Sequence, residues 1–480
     1  MQNRISLSII LFTLFDCTIT LFGQKTIVSG TAPSYSNDLL QLCTYNEPVT
    51  QTPYIIAEAL VDENGNFRFE FQIKETLMAF IDIEVNRGLI YLKPDMQYTI
   101  KLPEKQVKAT ADKLNPYFEL NEFYIGILNH DKTELNYQLR HFDDLYDHYI
   151  IQHFNRILKY GRAAKVDTMI ELIDSLCPGD DPYFVDYKKF QFIYLRHLAY
   201  ERDKYYVIDK YFLNKPILIR NTAYTLLFSQ LFDGFLPATG KIDEIAYQII
   251  VTKRLSRVKQ ILNEFIPDAN LQELVLLKGL HDGFFAQQYP ANGVLAILDS
   301  IASTTTNKIH SQLIENAKYN ITKLLEGYPP PNFTLPNDKD IKVNLKQFKG
   351  KFVYLNFFTM RSYTCLQHIE LLKNIHKTFG DDLKMISVII DDNFEDVVNQ
   401  LKAKECDWIF LHHDGSHDLI NKYQVVVYPT YYLITPDGHL FKIPTIGPDE
   451  DFISYFDNVL KQWKDEEERR KQYEDSKNNH

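Results

Sequence analysis

A chain of 480 residues, 45% hydrophobic and 24% charged, has the composition of a folded globular protein, and its length exceeds the usual 100–200 residues of one domain, suggesting about three. Its formal net charge of −11 excludes broad nucleic-acid binding, which needs a basic face to neutralise phosphates, and mainly implies solubility. Thirty-one Tyr and thirty-two Phe against two Trp supply bulky core material without pointing to any ligand.

Met1-Gln2-Asn3-Arg4 carries one positive charge, Ile5 to Phe15 is a short apolar run, a second apolar patch reaches Phe22, and Gly23 is small. This is the pattern of a secretory signal over residues 1–23, with cleavage after Gly23 and a mature protein in the periplasm or cell envelope. A membrane anchor is the rival reading, but Asp16 interrupts the run and leaves it shorter than the roughly 20 residues a span needs. Cys17 raises a lipoprotein reading; Asp16 before it departs from the small residue such signals carry, so simple export ranks first. Membrane association is expected only through a retained signal or a lipidated Cys17, because no other stretch is long and apolar enough to cross a bilayer.

Without residues 1–23, Cys43, Cys177, Cys365 and Cys406 remain, far apart and lacking the close pairs that read as zinc sites. The even count permits disulfides in an exported chain, yet a chain this large does not need them. Buried, unpaired thiols are expected for most of the four, and no metal or cofactor is expected.

Residues 24–105 alternate and are punctuated by turns. Ala57 to Val61 runs into Asp62-Glu63-Asn64-Gly65-Asn66, and Phe67 to Phe71 follows with period two, so the Asn-Gly pair predicts a hairpin. Further strands are predicted at Phe80–Val85, Gly88–Leu92 and Tyr98–Leu102, giving a small antiparallel β domain. Through "VDENGNFRFEF" and "IYLKPDMQYTI" it resembles the β domain of unknown function that precedes thioredoxin domains in Bacteroidetes envelope proteins.

Over residues 115–325 apolar residues recur at helical spacing, as in Ile170 to Leu176 or the set Leu271, Leu274 and Val275, which predicts an all-α domain. Pro178-Gly179, Pro237 to Gly240 and Pro290 to Gly293 divide it into helices, and no fixed-period repeat is present. Tyr146-Asp147-His148-Tyr149 and Tyr194-Leu195-Arg196-His197 read as packed helix faces rather than sites. Pro329-Pro330-Pro331 then predicts an extended linker.

Residues 329–463 read as strand, helix, strand, helix, two strands and a closing helix. Phe352 to Phe358 and Leu383 to Ile390 are near-continuous apolar runs, the mark of strands buried on both faces. A helix is predicted from Ser362 to Phe379 with Leu366, Ile369, Leu372 and Ile375 on one side, and Thr435-Pro436-Asp437-Gly438 predicts a hairpin turn. Residues 464–480 read as a charged, solvated tail.

On "PPNFTLPN" leading to "VNLKQFKGKFVYLNFF", on the turn bearing Cys365, and on "YQVVVYPTYYLITPDG", this segment resembles the thioredoxin-like domains of bacterial envelope thiol-disulfide oxidoreductases of the TlpA/ResA type. The resemblance implies a multidomain chain ending in an α/β thioredoxin-like domain, with a cis proline at Pro429 facing the redox site. It also implies that Ser362-Tyr363-Thr364-Cys365 occupies the place of the Cys-x-x-Cys pair, Ser362 for the attacking cysteine and Cys365 for the resolving one. Arg361 stands where the family carries Trp, and Glu370 where it carries a kinking Pro. Serine cannot attack a disulfide, so the dithiol reaction is expected to be lost.

Cys365 lies about one turn into a helix, with Arg361 four residues before and His368 three after, all of which favour a thiolate. Ser-x-x-Cys also echoes the peroxiredoxin pattern, but that pattern wants Pro at position 358, which is Phe, and a distant Arg clamp; no Arg occurs between Arg361 and Arg469. The plainest expectation is a half-buried cysteine carried over from a dithiol site, with Cys406 apart from it as packing. The leading reading is an exported, redox-impaired protein that binds a protein or peptide client through Tyr428, Pro429, Thr430, Arg361 and Tyr363. The alternative is a single-cysteine oxidoreductase, or a peroxidase, acting through Cys365; a third is an architectural role led by the helical domain.

Overall fold

The computed structural model describes residues 25–478, apart from residues 116, 130, 161–162, 239–241 and 414–416. The signal-like segment 1–23 and Cys17 lie outside the described residues. Among the described residues no helix is long and apolar enough to cross a membrane.

The N-terminal region is two packed sheets. Its strands are β1 (Thr26–Thr31), β2 (Leu39–Tyr45), β3 (Pro53–Leu60), β4 (Asn66–Phe71), β5 (Leu77–Ile83), β6 (Asn86–Leu92) and β7 (Gln97–Lys101). After a short helix α1 (Thr110–Lys113), β8 (Asn121–Tyr124) follows. The sheets run β3-β2-β5-β6-β8 and β4-β1-β7, and their inner faces meet in a core of Val28, Leu42, Phe69, Ile81, Ile90 and Ile100. In β4 the alternation is strict, Phe67, Phe69 and Phe71 inward, as the period-two pattern requires.

The Asn64-Gly65 turn forms, but not the hairpin expected of it. Gly65 has φ +81, and an added Cβ would sit 2.6 Å from Pro33 Cα, so only glycine fits. Asp62 Oδ1 secures the turn by accepting from the backbone of Asn64 at 2.9 Å and of Asn66 at 2.8 Å. The strands it joins nevertheless enter different sheets. Two pairings are parallel, β1 with β7 and β6 with β8, where an all-antiparallel domain had been expected. β8 lies beyond residue 105, and a lone four-residue strand that pairs across a long connection leaves no local period to read.

The helical region comprises α2 (Leu135–Tyr160), α3 (Ala163–Leu176), α4 (Pro182–Ala199), α5 (Lys204–Tyr211), α6 (Thr222–Leu231), α7 (Phe235–Ala238) and α8 (Ile242–Tyr247). A π-helical turn (Gln248–Thr252) leads to α9 (Leu255–Leu262), α10 (Ala269–Phe285), α11 (Ala291–Ala302) and α12 (Lys308–Thr322). Asp181, Asp203, Asn221, Asp268 and Asn307 cap five of these helices through their side chains, which is why each begins where it does. Tyr146 and Leu195, from the two aromatic stretches singled out in the sequence, are buried in the helical core. The helices are tied to the β region by Asn136, whose side-chain amide meets the Tyr91 backbone N at 2.6 Å and O at 2.8 Å. Lys93 and Asp181 add an ion pair at 2.6 Å.

The C-terminal region carries a small hairpin, β9 (Thr334–Pro336) with β10 (Lys342–Asn344), and a sheet of β11 (Phe352–Phe358), β12 (Leu383–Ile389), β13 (Ile409–His412), β14 (Thr430–Ile434) and β15 (Leu440–Lys442). The order is β13-β12-β11-β14-β15, parallel among β11, β12 and β13 and antiparallel beyond β11. Helices α13 (Tyr363–Phe379), α14 (Phe394–Ala403), α15 (His417–Lys422) and α16 (Phe452–Asn478) complete it. Every residue of β11 is buried, as its unbroken apolar run implies. Strand β13 is an addition to the predicted order. α16 runs on through the charged tail to Asn478.

The segment ahead of the prolines is not free. Gly327 N donates to Leu440 O at 2.8 Å, Leu440 N donates to Tyr328 O at 2.9 Å, and Tyr423 Oη donates to Pro331 O at 2.6 Å. It lies along β15 and covers that edge.

Candidate functional site

The parallel strand β11 ends at Phe358, and residues 359–362 turn into α13 at the carboxyl end of the sheet, where open α/β sheets place their sites. Ser362 is the N-cap of α13, with φ −87 and ψ 121; its hydroxyl faces the Cys365 backbone N at 3.4 Å. The same hydroxyl donates to Tyr428 O at 2.6 Å. The Tyr428–Pro429 bond is cis, as the family resemblance implied, and Thr430 Oγ1 donates to Val427 O at 2.6 Å. Thus Ser362, Tyr428, Pro429 and Thr430, from two separate stretches of chain, meet in one place.

Cys365 is fully buried rather than half-buried, with 0% of its surface exposed. Burial pushes its thiol up to about 11; the Thr359 backbone N–H and the Ser362 hydroxyl oppose this, and the Asp391 carboxylate adds to it. At neutral pH the sulfur is then held as the thiol. Neither expected helper acts on it. The Arg361 Nε reaches toward Asp391 Oδ1 at 3.8 Å, and His368 is buried with Nδ1 2.9 Å from the Tyr431 hydroxyl and Nε2 3.3 Å from Asp449 Oδ1. Cys406 is also buried and free, with its thiol pushed up to about 11 by burial; Cys43 and Cys177 are free as well.

The inward stripe of α13 is Cys365, His368, Ile369, Leu372 and Ile375; Leu366, expected on that side, is 38% exposed. Tyr363 at 72%, Val426 at 52% and Val427 at 62% are exposed apolar side chains that flank Ser362 and the Tyr428–Pro429 loop, which the 2.6 Å bond joins. Burial pushes the Tyr428 phenol up to about 12, with a further push from Cys365.

Two residues of this site were not singled out from the sequence. Asp391, just past β12, is buried and accepts from Thr359 Oγ1 at 3.1 Å and Met360 N at 3.0 Å, fixing the turn before Ser362. A carboxylate directly after a strand buried on both faces was the available signal. Asn356, in the middle of β11, is fully buried and neither of its amide atoms meets a partner among the described residues. By strand alternation it shares the α13 side of the sheet with Tyr354 and Phe358. Among the described residues no three His, Cys, Asp or Glu side chains converge as a metal set would.

Residues 327–443 match the AhpC/TSA family. Over 137 residues the chain is 27% identical to the thiol-disulfide oxidoreductase ResA of Bacillus subtilis, covering 28% of this chain and 76% of that protein. It is 28% identical over 118 residues to the thioredoxin-like protein YneN of the same organism, covering 24% of this chain and 67% of that one. Among solved structures, the thioredoxin domain of a thiol-disulfide oxidoreductase from Bacteroides vulgatus is similar at 22% identity and a TM-score of 0.26, covering 29% of this chain and 98% of that one. The exposed lipoprotein thioredoxin of Streptococcus pneumoniae is similar at 24% identity and a TM-score of 0.23, covering 27% and 99%. The C-terminal region of this chain is a thioredoxin-like domain of the AhpC/TSA family.

Proposed function

We propose that this is an exported envelope protein whose thioredoxin-like domain holds an extended segment of a client protein beside the Pro429 loop and does not exchange disulfides. The observation that carries the reading is Ser362 bonded to the Tyr428 carbonyl at 2.6 Å, over a Cys365 with no exposed surface. Disulfide exchange requires an accessible thiolate, and here the attacking position is a hydroxyl while the remaining sulfur is covered and protonated. The exposed Tyr363, Val426 and Val427 support recognition without chemistry. The signal pattern of residues 1–23 supports export. The test is twofold on the full chain: insulin reduction stays at background, and a Cys365→Ala variant captures the same envelope proteins as wild type. Loss of capture in that variant, or turnover of insulin, overturns the reading.

A second reading, a single-cysteine oxidoreductase or peroxidase acting through Cys365, draws on the Thr359 N–H, which stabilises the sulfur's anion, and on the Ser362 hydroxyl, which does so once its proton leaves the Tyr428 carbonyl. It requires the turn over residues 359–362 to open. Alkylation of Cys365 in the folded chain faster than that of a free thiol of pKa about 8.5 favours this reading over the first.

A further inference from the structure

We propose that Arg361 selects clients presenting a carboxylate, so that the bound segment carries an acidic side chain next to apolar ones. This rests on the Pro429 surface being a binding face and adds the chemistry of what it takes.

The face is apolar at Tyr363, Leu366, Val426 and Val427, and Arg361 stands at its edge, two residues before Tyr363, with 55% of its side chain exposed. Asp391 lies 3.8 Å from Arg361 Nε, but its carboxylate is buried and already accepts from Thr359 and Met360. It therefore holds the guanidinium from one side while more than half of the Arg361 side chain stays exposed. A guanidinium is a planar fork of five donors and matches a carboxylate through two parallel hydrogen bonds. The next charge along the exposed face of α13 is Glu370, about 10 Å beyond Tyr363 at the rise of a helix. Glu370 shares Lys373, at 3.2 Å, with Glu405, at 3.6 Å, so this acidic cluster bounds the far end of the face and confines the carboxylate to the Arg361 end. This places a guanidinium where an apolar segment would lie, and its exposed donors favour a carboxylate on that segment against the net charge of −11 of the chain as a whole.

The test uses the full chain and fluorescein-labelled octapeptides that differ only at a central Glu, Gln or Lys flanked by Leu and Val. All are amidated at the C-terminus, with a free-acid copy of the Gln peptide to separate a terminal carboxylate from a side-chain one. Anisotropy is expected to give about fivefold tighter binding of the Glu than the Gln peptide, a margin that shrinks at about 0.5 M salt. Arg361→Gln removes that margin, so that the Glu and Gln peptides bind with equal affinity. A Val426→Ser, Val427→Ser double variant weakens all the peptides alike. Equal binding of Glu and Gln peptides by wild type, with the double variant still weakening both, overturns the Arg361 assignment and leaves the surface standing. No effect of the double variant, or no binding at all, overturns the surface and the assignment with it.

Discussion

The Ser362 hydroxyl donates to the Tyr428 carbonyl at 2.6 Å and so fastens the first turn of α13 to the cis-proline loop. A position that reads in the sequence as a missing sulfur is, in the fold, a working hydrogen bond: the serine caps the helix and closes the loop over Cys365. Substituting Ser362→Ala removes both contacts, and the expected loss is about 1–2 kcal/mol of unfolding free energy by urea titration. An unchanged midpoint would mean the bond adds nothing beyond solvent.

Ser362→Cys is the complementary change. It returns a sulfur to the N-cap, within reach of Cys365 three residues on in the same helical turn, and the pair is expected to close to a disulfide and to reduce insulin well above the wild-type background. Thiol titration with and without prior reduction reads the first outcome and turbidity the second. If two free thiols persist under oxidising conditions, the site has lost its geometry as well as its nucleophile.

Asp391 acts on Cys365 at one remove. Its carboxylate raises the energy of the thiolate through space and pins the turn through Thr359 and Met360. Asp391→Asn removes the charge and keeps an acceptor, so the Cys365 thiol is expected to titrate at lower pH and to alkylate several-fold faster at fixed pH. An alkylation pH profile measures it. A faster rate with an unmoved profile would assign the effect to loosening of the turn instead.

Asn356 lies in the centre of β11 with both amide atoms buried and, among the described residues, unpartnered, opposite Ser387 on one neighbouring strand and Tyr431 on the other. An orphaned buried amide carries a desolvation penalty of about 1–3 kcal/mol, and Leu has nearly its shape. Asn356→Leu is expected to raise stability by about 1 kcal/mol or more, seen as a higher melting temperature. A lower melting temperature would mean the amide has a partner, such as an ordered water.

What the sequence disclosed followed from how local each signal is. The unbroken run Phe352 to Phe358 announces a strand buried on both faces, and Asn64-Gly65 announces its turn, because both depend on neighbours along the chain. Strand β13 offers only Ile409-Phe410-Leu411-His412, too short for a period, and the parallel pairings of β1 with β7 and β6 with β8 depend on contacts far apart in sequence. At the site, the Ser-x-x-Cys spacing and Pro429 were legible through the family pattern. The fate of Cys365 was not: the helix N-terminus, Arg361 and His368 all argued for a thiolate, and burial outweighs them once Arg361 turns to Asp391 and His368 to Tyr431 and Asp449. Side-chain direction across elements decides that balance, and no single-chain spacing encodes it.

The junction between the β and helical regions gives a pH-dependent prediction. Asp143 on α2 accepts from Tyr124 of β8 at 2.9 Å and from Tyr187 of α4 at 2.8 Å. Burial pushes its carboxyl from 3.8 up to about 6; the hydrogen bonds from Tyr187 and Tyr124 oppose this, and Asp147 and Asp144 on the same helix add to it. The folded chain therefore holds this proton more tightly than the unfolded chain does. The resulting stabilisation is complete below about pH 4 and is lost as pH rises through about 6. An Asp143→Asn variant keeps a neutral group between the two phenols at every pH. Relative to that variant, wild type is expected to lose unfolding free energy from about pH 4 to about pH 7 and to run parallel to it above. Urea midpoints for both chains across this range give the comparison. Parallel curves throughout would mean Asp143 titrates near its ordinary value and that water reaches the carboxylate between the two tyrosines.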